Sequence, residues 1–310
     1  MTMWLFNRKL LPSKPLKSVY DTLRKGIIAF DENIKIPPTP VDQVSIVLCA
    51  IRHDDPYMFH IGSGFTYTAS NNMVTSVSIN YLEKRSDYNL SRSRMQMLID
   101  HEMEFVSRIQ DDFDREQQIC RTIHRTIRWI EHEKDADGLT PFQHDHTALG
   151  PILTGSGTCE GLALAFTAFA QACGINASVV CNDHHAWNVV QIDGKVSHLD
   201  VGSIDFRSPS FNIVEMNRSD DILCRPPYEG GPVVGAVSND IFDRTGMVAK
   251  NDEELLHILE SRKGNIPQGL QIRVWTENID LLVPTLKRFK RASCLNIYCE
   301  TRGRILTISC

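Results

Sequence analysis

The stretch from residue 154 to residue 205 constrains the fold of this chain more than any other. It opens with TGSGTCEG at residues 154–161 and continues with the small and apolar run LALAFTAFA over residues 162–170. We predict a helix from Cys159 to Ala172, closed by Gly174, because glycine readily takes the left-handed conformation that ends many helices. Its small residues would let this helix lie close against a sheet.

Three short strands follow this helix in the prediction. They are Ala177–Cys181, His185–Ile192 and Val196–Val201, and Asp193-Gly194 between the last two favours a tight hairpin turn. With the turn centred on that pair, residues whose numbers add to about 387 lie opposite one another. The expected core is therefore a helix packed on an antiparallel sheet.

Cys159 stands at the first turn of the predicted helix. A thiol reacts as thiolate, and the unpaired backbone N–H groups and dipole of a helix start lower its pKa. The glycines on both sides, Gly157 and Gly161, let a substrate backbone approach, and the Cys159 amide could serve as an oxyanion donor. Taken alone, these features suit a capped structural thiol equally well.

A thiolate catalyst also needs a histidine to share its proton and a third group to orient that histidine. The predicted sheet offers the adjacent His184 and His185, and then Asp200 on the next strand. Adjacent strand residues point to opposite faces, so only one of the two histidines can reach Cys159. Asp200 falls opposite residue 187 or 188, and a bulge would change this. The residues by themselves leave the choice of histidine open.

Four segments together resemble the core of the transglutaminase-like superfamily. They are GTCEG (157–161), Gly174-Ile175, HAWN (185–188) and HLDV (198–201). In that family the cysteine at the helix start, the histidine before Ala-Trp and the aspartate ending the next strand form a triad on a papain-like scaffold. The resemblance implies that Cys159, His185 and Asp200 form the catalytic triad. We place four further residues at the substrate cleft or in support of it: Gly157, Thr158, Trp187 and His146.

The resemblance to bacterial members of this family extends over about residues 41–230. It includes DDPYMF at residues 54–59, the predicted helix around Ile119–Ile130 and HTALG at residues 146–150. Two segments depart from the family pattern, Val201–Asp205 after the aspartate and Thr147–Leu149 ahead of the cysteine. Both lie near the expected cleft, so the acyl donor is expected to differ from the better known ones.

The chain divides into three parts in the prediction, and the fold class is α+β. Residues 1–40 are basic and then proline-rich, which predicts a loosely packed N-terminal arm. Residues 41–230 form the transglutaminase-like core with its helical and β extension. The proline- and glycine-rich segment 225–232 marks the boundary, and residues 231–310 alternate helix and strand as a small α/β C-terminal appendage.

In the helical and β extension of the core we predict strands around Tyr57–Ile61, Phe65–Thr68 and Val74–Ile79, with a turn at Ser70-Asn71-Asn72 between the last two. Two helices are predicted between Ser91 and Glu133, the first with Met95, Leu98, Phe105 and Ile109 in its core face, the second capped by Asp114 with Gln117.

No metal or cofactor is expected. A zinc site is the obvious alternative, because several cysteines and four histidines cluster around the motifs, namely His144, His146, His184 and His185. Structural zinc ligands usually come as close pairs with defined spacing, and only His144-x-His146 approaches that pattern.

The composition limits the classes of partner and compartment. The chain has 310 residues, a formal net charge of −5 and nine cysteines without a CxxC pair. We expect no nucleic-acid partner, because no polyanion-binding excess of charge is present. No segment has the length of a membrane span or signal peptide, so a cytoplasmic protein without membrane contact is expected. Its oligomeric state is left open.

These features predict acyl transfer on a protein or peptide substrate through a Cys159 thioester. Water as acceptor would make the protein a peptidase or amidase, and an amine would make it a transglutaminase. We favour hydrolysis, because the sequence lacks calcium-loop spacing of the Asp-x-Asp-x-Asp-Gly kind. The alternative is a catalytically silent binding or scaffolding module of the same family.

Overall fold

Helices and antiparallel strands alternate along the chain in the computed structural model. It describes residues 4–130, 144–203, 218, 220–224, 226–239, 241–262, 270–276, 278–293, 298–302 and 304–309. The helices are α1 Phe6–Leu10, α2 Lys14–Ala29, α3 Val41–Asp54, α4 Arg85–Met103, α5 Asp112–Thr126, α6 Leu149–Thr154, α7 Cys159–Ala172, α8 Ile241–Thr245, α9 Asp252–Ser261 and α10 Ile279–Ser293.

The strands form small sheets rather than one large one, and the α+β class is confirmed. They are β1 Ile34–Thr39, β2 Ile61–Ser70, β3 Met73–Tyr81, β4 Arg128–Trp129, β5 Ser156–Gly157, β6 Asn176–Cys181, β7 Ala186–Ile192, β8 Lys195–Leu199, β9 Val248–Ala249, β10 Leu270–Val274, β11 Tyr298–Arg302 and β12 Ile305–Ser309. Short 3₁₀ turns occupy Val106–Arg108, Val201–Ser203 and Asp220–Cys224.

The predicted loose packing of residues 1–40 is wrong. Within them α2 starts at Ser13, whose side chain caps it, and buries a continuous face. That face comprises Leu16, Val19, Tyr20, Leu23 and Ile27, which pack with α3 and the β1-β3-β2 sheet. The sequence reading gave weight to the prolines and overlooked apolar positions recurring at helical spacing.

A buried carboxylate ties this N-terminal layer to the sheet of the core. Asp54, at the end of α3, accepts hydrogen bonds from the Asn7 N–H at 2.7 Å and the Arg8 N–H at 3.0 Å. The Tyr20 hydroxyl and the Ser178 hydroxyl of β6 also donate to it, each at 3.0 Å. Because a buried carboxylate is costly unless its oxygens are bonded, this network holds α3 against β6.

The hairpin predicted at Ser70-Asn71-Asn72 is confirmed. β2 and β3 are antiparallel, and Asn71 and Asn72 both have positive φ, as a tight hairpin turn requires. The strand predicted at 57–61 is not found, because residues 56–60 form turns and strand pairing begins at Ile61.

The two helices predicted between residues 91 and 133 are present as α4 and α5. The cap of α5 is Asp111 rather than the predicted Asp114, and its side chain accepts from two N–H groups of the first turn. In α4 the buried stripe is Met95, Ile99 and Met103, whereas Phe105, predicted as a core residue, is 72% exposed.

The centre of the molecule is α7, packed on the antiparallel sheet β6-β7-β8 as predicted. Asp193 and Gly194 both have positive φ at the turn between β7 and β8. The register pairs Asn188 with Leu199 and Ile192 with Lys195, which confirms the pairing expected from the turn. This register brings the end of β8 beside the start of β7.

The C-terminal part shows the expected alternation of helices and strands. Its sheet has the order β11-β12-β10-β9, with β9 parallel to β10 and the other pairs antiparallel. The leucine-rich faces of α9 and α10 cover this sheet. Segment 225–232, predicted as a domain boundary, carries Tyr228, which is 2% exposed and packs with Trp187 of β7. The described part of this segment therefore packs on the core; the domain limits remain a prediction.

Among the residues that the structure describes, no helix has the length and apolarity needed to cross a membrane.

Candidate active site

The first turn of α7 positions Cys159. Thr158 is the cap of this helix, and its hydroxyl accepts from the Gly161 N–H while also lying 3.1 Å from the Asp145 carbonyl oxygen. A Cβ at Gly161 would collide with the Asp145 backbone, so only glycine allows this close approach. The cap and the glycine together hold the helix start against the preceding loop, with the Cys159 thiol partly exposed.

The structure brings Cys159, His185 and Asp200 together. The Cys159 thiol lies beside His185, and the backbone N–H groups of Ala186 and Glu160 also lie near the sulfur. His185 Nε2 lies 2.8 Å from Asp200 Oδ2. A carboxylate only accepts, so Nε2 carries the proton and Nδ1 is left to exchange a proton with the thiol. Thiol, imidazole and carboxylate thus follow one another in a row, and the imidazole and carboxylate are hydrogen-bonded.

The environment of this row favours a thiolate beside an imidazolium. Burial raises the pKa of the Cys159 thiol, but the hydrogen bonds from His185 and from the Ala186 N–H hold it below its ordinary value. Burial lowers the pKa of His185, yet the bonds to Asp200 and Cys159 outweigh it and raise that pKa to about 9. The pKa of the thiol is therefore lowered and the pKa of the imidazole is raised, so each group is favoured in its charged form, as an ion pair requires.

Asp200 is 2% exposed and has three further donors. The Tyr228 hydroxyl and the Ser203 hydroxyl each lie 2.7 Å from Oδ2, and the Gly202 N–H lies 3.0 Å from Oδ1. Burial raises the pKa of the Asp200 carboxyl, but the bonds from His185 and these hydroxyls keep it below its ordinary value. Asp200 is thereby held as a carboxylate in a fixed orientation.

Tyr228 and Ser203 were missed by sequence reasoning. Ser203 lies in the segment noted above as departing from the family pattern, and Tyr228 lies in the segment read as a boundary. The signal that could have found Tyr228 is an aromatic residue with a hydroxyl among prolines and glycines, a combination typical of a segment that folds back on a core.

Trp187 is fully buried beside the row. Its ring is stacked near the His185 ring at 5.9 Å between centroids, with 14° between the planes. Its Nε1–H donates to His198 Nδ1 at 3.0 Å, and His198 Nε2 lies 2.9 Å from Asp220 Oδ1. The indole therefore covers one side of the His185 imidazole and has its own polar atom bonded.

The other predicted support residues lie at the helix start. Gly157 is in β5, where a Cβ would collide with Pro151, so this glycine serves close packing. His146 Nδ1 lies 3.1 Å from the Thr158 hydroxyl and 3.6 Å from Glu160 Oε2. The neighbouring His184 is exposed, so the structure distinguishes the two adjacent histidines and places His185 at the thiol.

The histidines named for a zinc site do not form one group. Within the described part of the chain, one set of three side chains converges closely enough to share a metal ion: Cys49, His53 and Cys181. Cys49 and His53 lie on α3, and Cys181 ends β6. Sequence reasoning missed this set, although the Cys49-x-x-x-His53 spacing places both residues on one helix face.

Comparison with known proteins agrees with this arrangement. Residues 103–201 match the family model of the Transglutaminase-like superfamily. A thiol at a helix start, facing a histidine and an aspartate on an antiparallel sheet, is the arrangement that the superfamily resemblance implied. The chain thus carries a transglutaminase-like superfamily domain at residues 103–201.

Three of the solved structures that are similar to this chain carry different descriptions. A "putative cysteine protease" from Cytophaga hutchinsonii has 12% identity and a TM-score of 0.28, over 45% of this chain and 62% of that chain. A TGase has 10% identity and a TM-score of 0.31, over 55% and 50%. Menin, whose structure includes a binding site for Mixed Lineage Leukemia protein, has 16% identity and a TM-score of 0.28, over 61% and 36%. Each match covers less than two thirds of the other chain. No curated protein matches this chain.

Proposed function

We propose that this protein is a cysteine-dependent acyl-transfer enzyme acting on a protein or peptide amide, with Cys159 as nucleophile. The observation that carries the proposal is the row from the Cys159 thiol through His185 to Asp200, in which His185 Nε2 lies 2.8 Å from Asp200 Oδ2 and the thiol is partly exposed at a helix start. A structural thiol needs neither an oriented imidazole nor a buried carboxylate behind it.

The chemistry follows from the row. The Cys159 thiolate attacks the amide carbonyl carbon and forms a C–S bond, and the carbonyl electrons move to oxygen. The first-turn N–H of Cys159 is the candidate donor to that oxyanion. As the C–N bond breaks, the His185 imidazolium gives its proton to the leaving amine, and a thioester remains. His185 then takes a proton from the acceptor, which attacks the thioester and releases the thiol.

The acceptor is water in this proposal, which makes the protein a peptidase or amidase. No stretch of the sequence reads Asp-x-Asp-x-Asp-Gly, the calcium-loop motif that calcium-activated cross-linking would use; EKDADG at residues 133–138 differs from it by Glu133 in the first position. We keep a cytoplasmic location and the absence of a nucleic-acid partner as parts of the same proposal. An amine as acceptor is the alternative outcome of the experiment below.

The first test is alkylation of the native protein by iodoacetamide between pH 4 and 9, with mass mapping of the labelled cysteine. We expect Cys159 to react at pH 6 roughly tenfold faster than an ordinary thiol, whose pKa is about 8.5. His185→Ala should remove this advantage, whereas His184→Ala, an exposed neighbour, should retain it. Equal slow labelling of Cys159 in the wild type and His185→Ala would support the silent binding module instead.

The second test is a peptide-amide substrate screen followed by a pH profile. Turnover should rise as Cys159 deprotonates below the ordinary thiol range and should fall as His185 loses its proton near its pKa of about 9. Adding a fluorescent primary amine then separates the acceptors: hydrolysed product alone supports water, and amine-coupled product supports a transglutaminase. A profile without the alkaline fall would remove His185 as the proton donor.

A further inference from the structure

A second group of reactive side chains lies on the other side of the α7 start. Cys49 and His53 are one helical turn apart on α3, and Cys181 ends β6. Their ligand atoms all lie within 4.8 Å of one another. The Cys49 and Cys181 sulfurs lie within that distance of each other, and the Cys49 sulfur is 3.6 Å from His53 Nδ1. In a tetrahedral zinc site neighbouring ligand atoms are about 3.5–3.8 Å apart.

The imidazole of His53 is oriented by a carboxylate. His53 Nε2 lies 3.1 Å from Glu160 Oε1, and because a carboxylate only accepts, Nε2 carries the proton. Nδ1 therefore carries the lone pair, which the Cys49 thiol contacts and which becomes available to a metal ion when that thiol loses its proton. A metal-binding histidine is typically held in this way, with its second nitrogen donating to a carboxylate.

The charges around the group also balance for a divalent cation. Two thiolates neutralise a doubly charged ion, and the imidazole is neutral. Glu160 is already paired with Arg52, so its charge is compensated independently of the group. His53 is 3% exposed and the two thiols are half-buried, which leaves access for an ion from one side.

We propose that Cys49, His53 and Cys181 bind one soft divalent cation of the zinc class through two thiolates and one imidazole nitrogen. Binding releases the two thiol protons to solvent, and the fourth position is taken by water or by another donor. The ion joins α3, β6 and, through His53 and Glu160, the first turn of α7. This metal site does not rest on the proposed enzymatic function.

A disulfide between Cys49 and Cys181 is the competing use of the same thiols. A disulfide needs only the two thiols, so it would leave the oriented His53 and its Glu160 partner without a role. His53 is a third ligand, and its Nδ1 lies close to the Cys49 sulfur. This arrangement favours metal binding over a disulfide. The experiment below separates the two.

The test uses the full chain, purified under reducing conditions, stripped with a chelator and titrated with Zn²⁺ or Co²⁺. We expect one equivalent of metal by elemental analysis and a thiolate-to-cobalt charge-transfer band with Co²⁺. Cys49→Ser, Cys181→Ser and His53→Gln should each weaken binding at least about tenfold. Cys224→Ser, which alters an exposed cysteine outside the group, should bind as the wild type does.

Separate control experiments test whether each variant folds and whether metal binding is independent of the proposed activity. Circular dichroism of each stripped variant shows whether it remains folded, and zinc should raise the melting temperature of the wild type and of Cys224→Ser only. Cys159→Ala should still bind one equivalent, so a failed catalytic proposal leaves this result intact. Absence of the cobalt band from the reduced wild type, or a Cys49–Cys181 disulfide in a protein that takes up no metal when reduced, overturns the proposal.

Discussion

Two rows of thiol, imidazole and carboxylate meet at the first turn of α7, and they differ in how the thiol is placed. In one row Cys159 contacts His185, which is bonded to Asp200. In the other row Cys49 contacts His53, which is bonded to Glu160. Cys159 and Glu160 are adjacent in sequence, so a single helix start serves both rows.

The surroundings of the two sulfurs separate their chemistry. Cys159 lies at a helix start, where the backbone N–H groups of Glu160 and Ala186 stabilise a thiolate. Cys49 lies within α3, whose N–H groups are used by the helix itself; its pKa is also lowered, but by side chains, first by the neighbouring Cys181 thiol and then by His53 and Arg52. The same three functional groups therefore suit nucleophilic attack in one place and cation binding in the other.

The two carboxylates, Asp200 and Glu160, also differ in the groups that surround them. Asp200 is fixed by Tyr228, Ser203 and the Gly202 backbone, all of which donate to it. Glu160 instead faces cationic or titratable partners, Arg52, His53 and His146. A carboxylate held by hydroxyls can orient one histidine rigidly, whereas one shared among basic groups serves as a charge balance.

The largest expected effect is that of Asp200→Asn on the first row. The substitution keeps the size of the side chain but removes the charge that stabilises the imidazolium and fixes its tautomer. We expect kcat/KM on a substrate from the screen to fall roughly 10³-fold. Asp183→Asn, an exposed change two residues before His185, is the matched control and should stay within about threefold. If Asp200→Asn had only a small effect, the charge of Asp200 would not matter for turnover, and the proposed functional difference between the Asp200 row and the Glu160 row would fail.

Tyr228→Phe should have an intermediate effect. It removes one hydrogen bond to Asp200 Oδ2 and leaves the packing against Trp187 in place, so Tyr228 acts as a positioning residue. We expect a loss of roughly tenfold, in kcat more than in KM, together with a shift of the alkaline limb of the pH profile.

The exposed Tyr67→Phe provides the control for that substitution. If Tyr228→Phe lowered thermal stability without changing the pH profile, the hydroxyl would be structural only. The hydroxyl groups around Asp200 would then not explain why Asp200 and Glu160 differ in function.

Thr158→Ala should have the smallest effect, and it should touch both rows. It removes the cap of α7, which costs about 1 kcal/mol of unfolding free energy. Urea unfolding measures this loss, with Thr68→Ala on an exposed strand position as control. Because Cys159 and Glu160 both belong to the first turn, alkylation of Cys159 and zinc affinity should fall together by a few fold. A change in one of them alone would show that the two rows do not share this helix start.

The local elements around the first row could be predicted because their signals are local. The α7 helix, its glycine end and the Asp193-Gly194 hairpin follow from residues within a few positions of one another. The hairpin register placed Asp200 near His185, and the superfamily resemblance, rather than the residues alone, selected His185 over His184. The structure places these groups as that resemblance implied.

The misreadings have a common physical origin. Prolines near the N-terminus masked the apolar stripe of α2, and Asp114 was chosen as a cap because its spacing to Gln117 fitted a capping pattern that Asp111 fulfils instead. Propensity signals of this kind are weak, and burial of an apolar face decides between them.

By itself the sequence determined the helix that presents Cys159 and the two strands at whose ends His185 and Asp200 lie, because backbone periodicity and turn chemistry act over short distances. Only the tertiary structure decided that Tyr228 returns from a distant segment to hold Asp200, and that α3 lies where Cys49 meets Cys181. Those contacts depend on which apolar faces pack together, as with the Asp54 network that holds α3 to β6. Packing of this kind is a property of the whole chain, and no short motif records it.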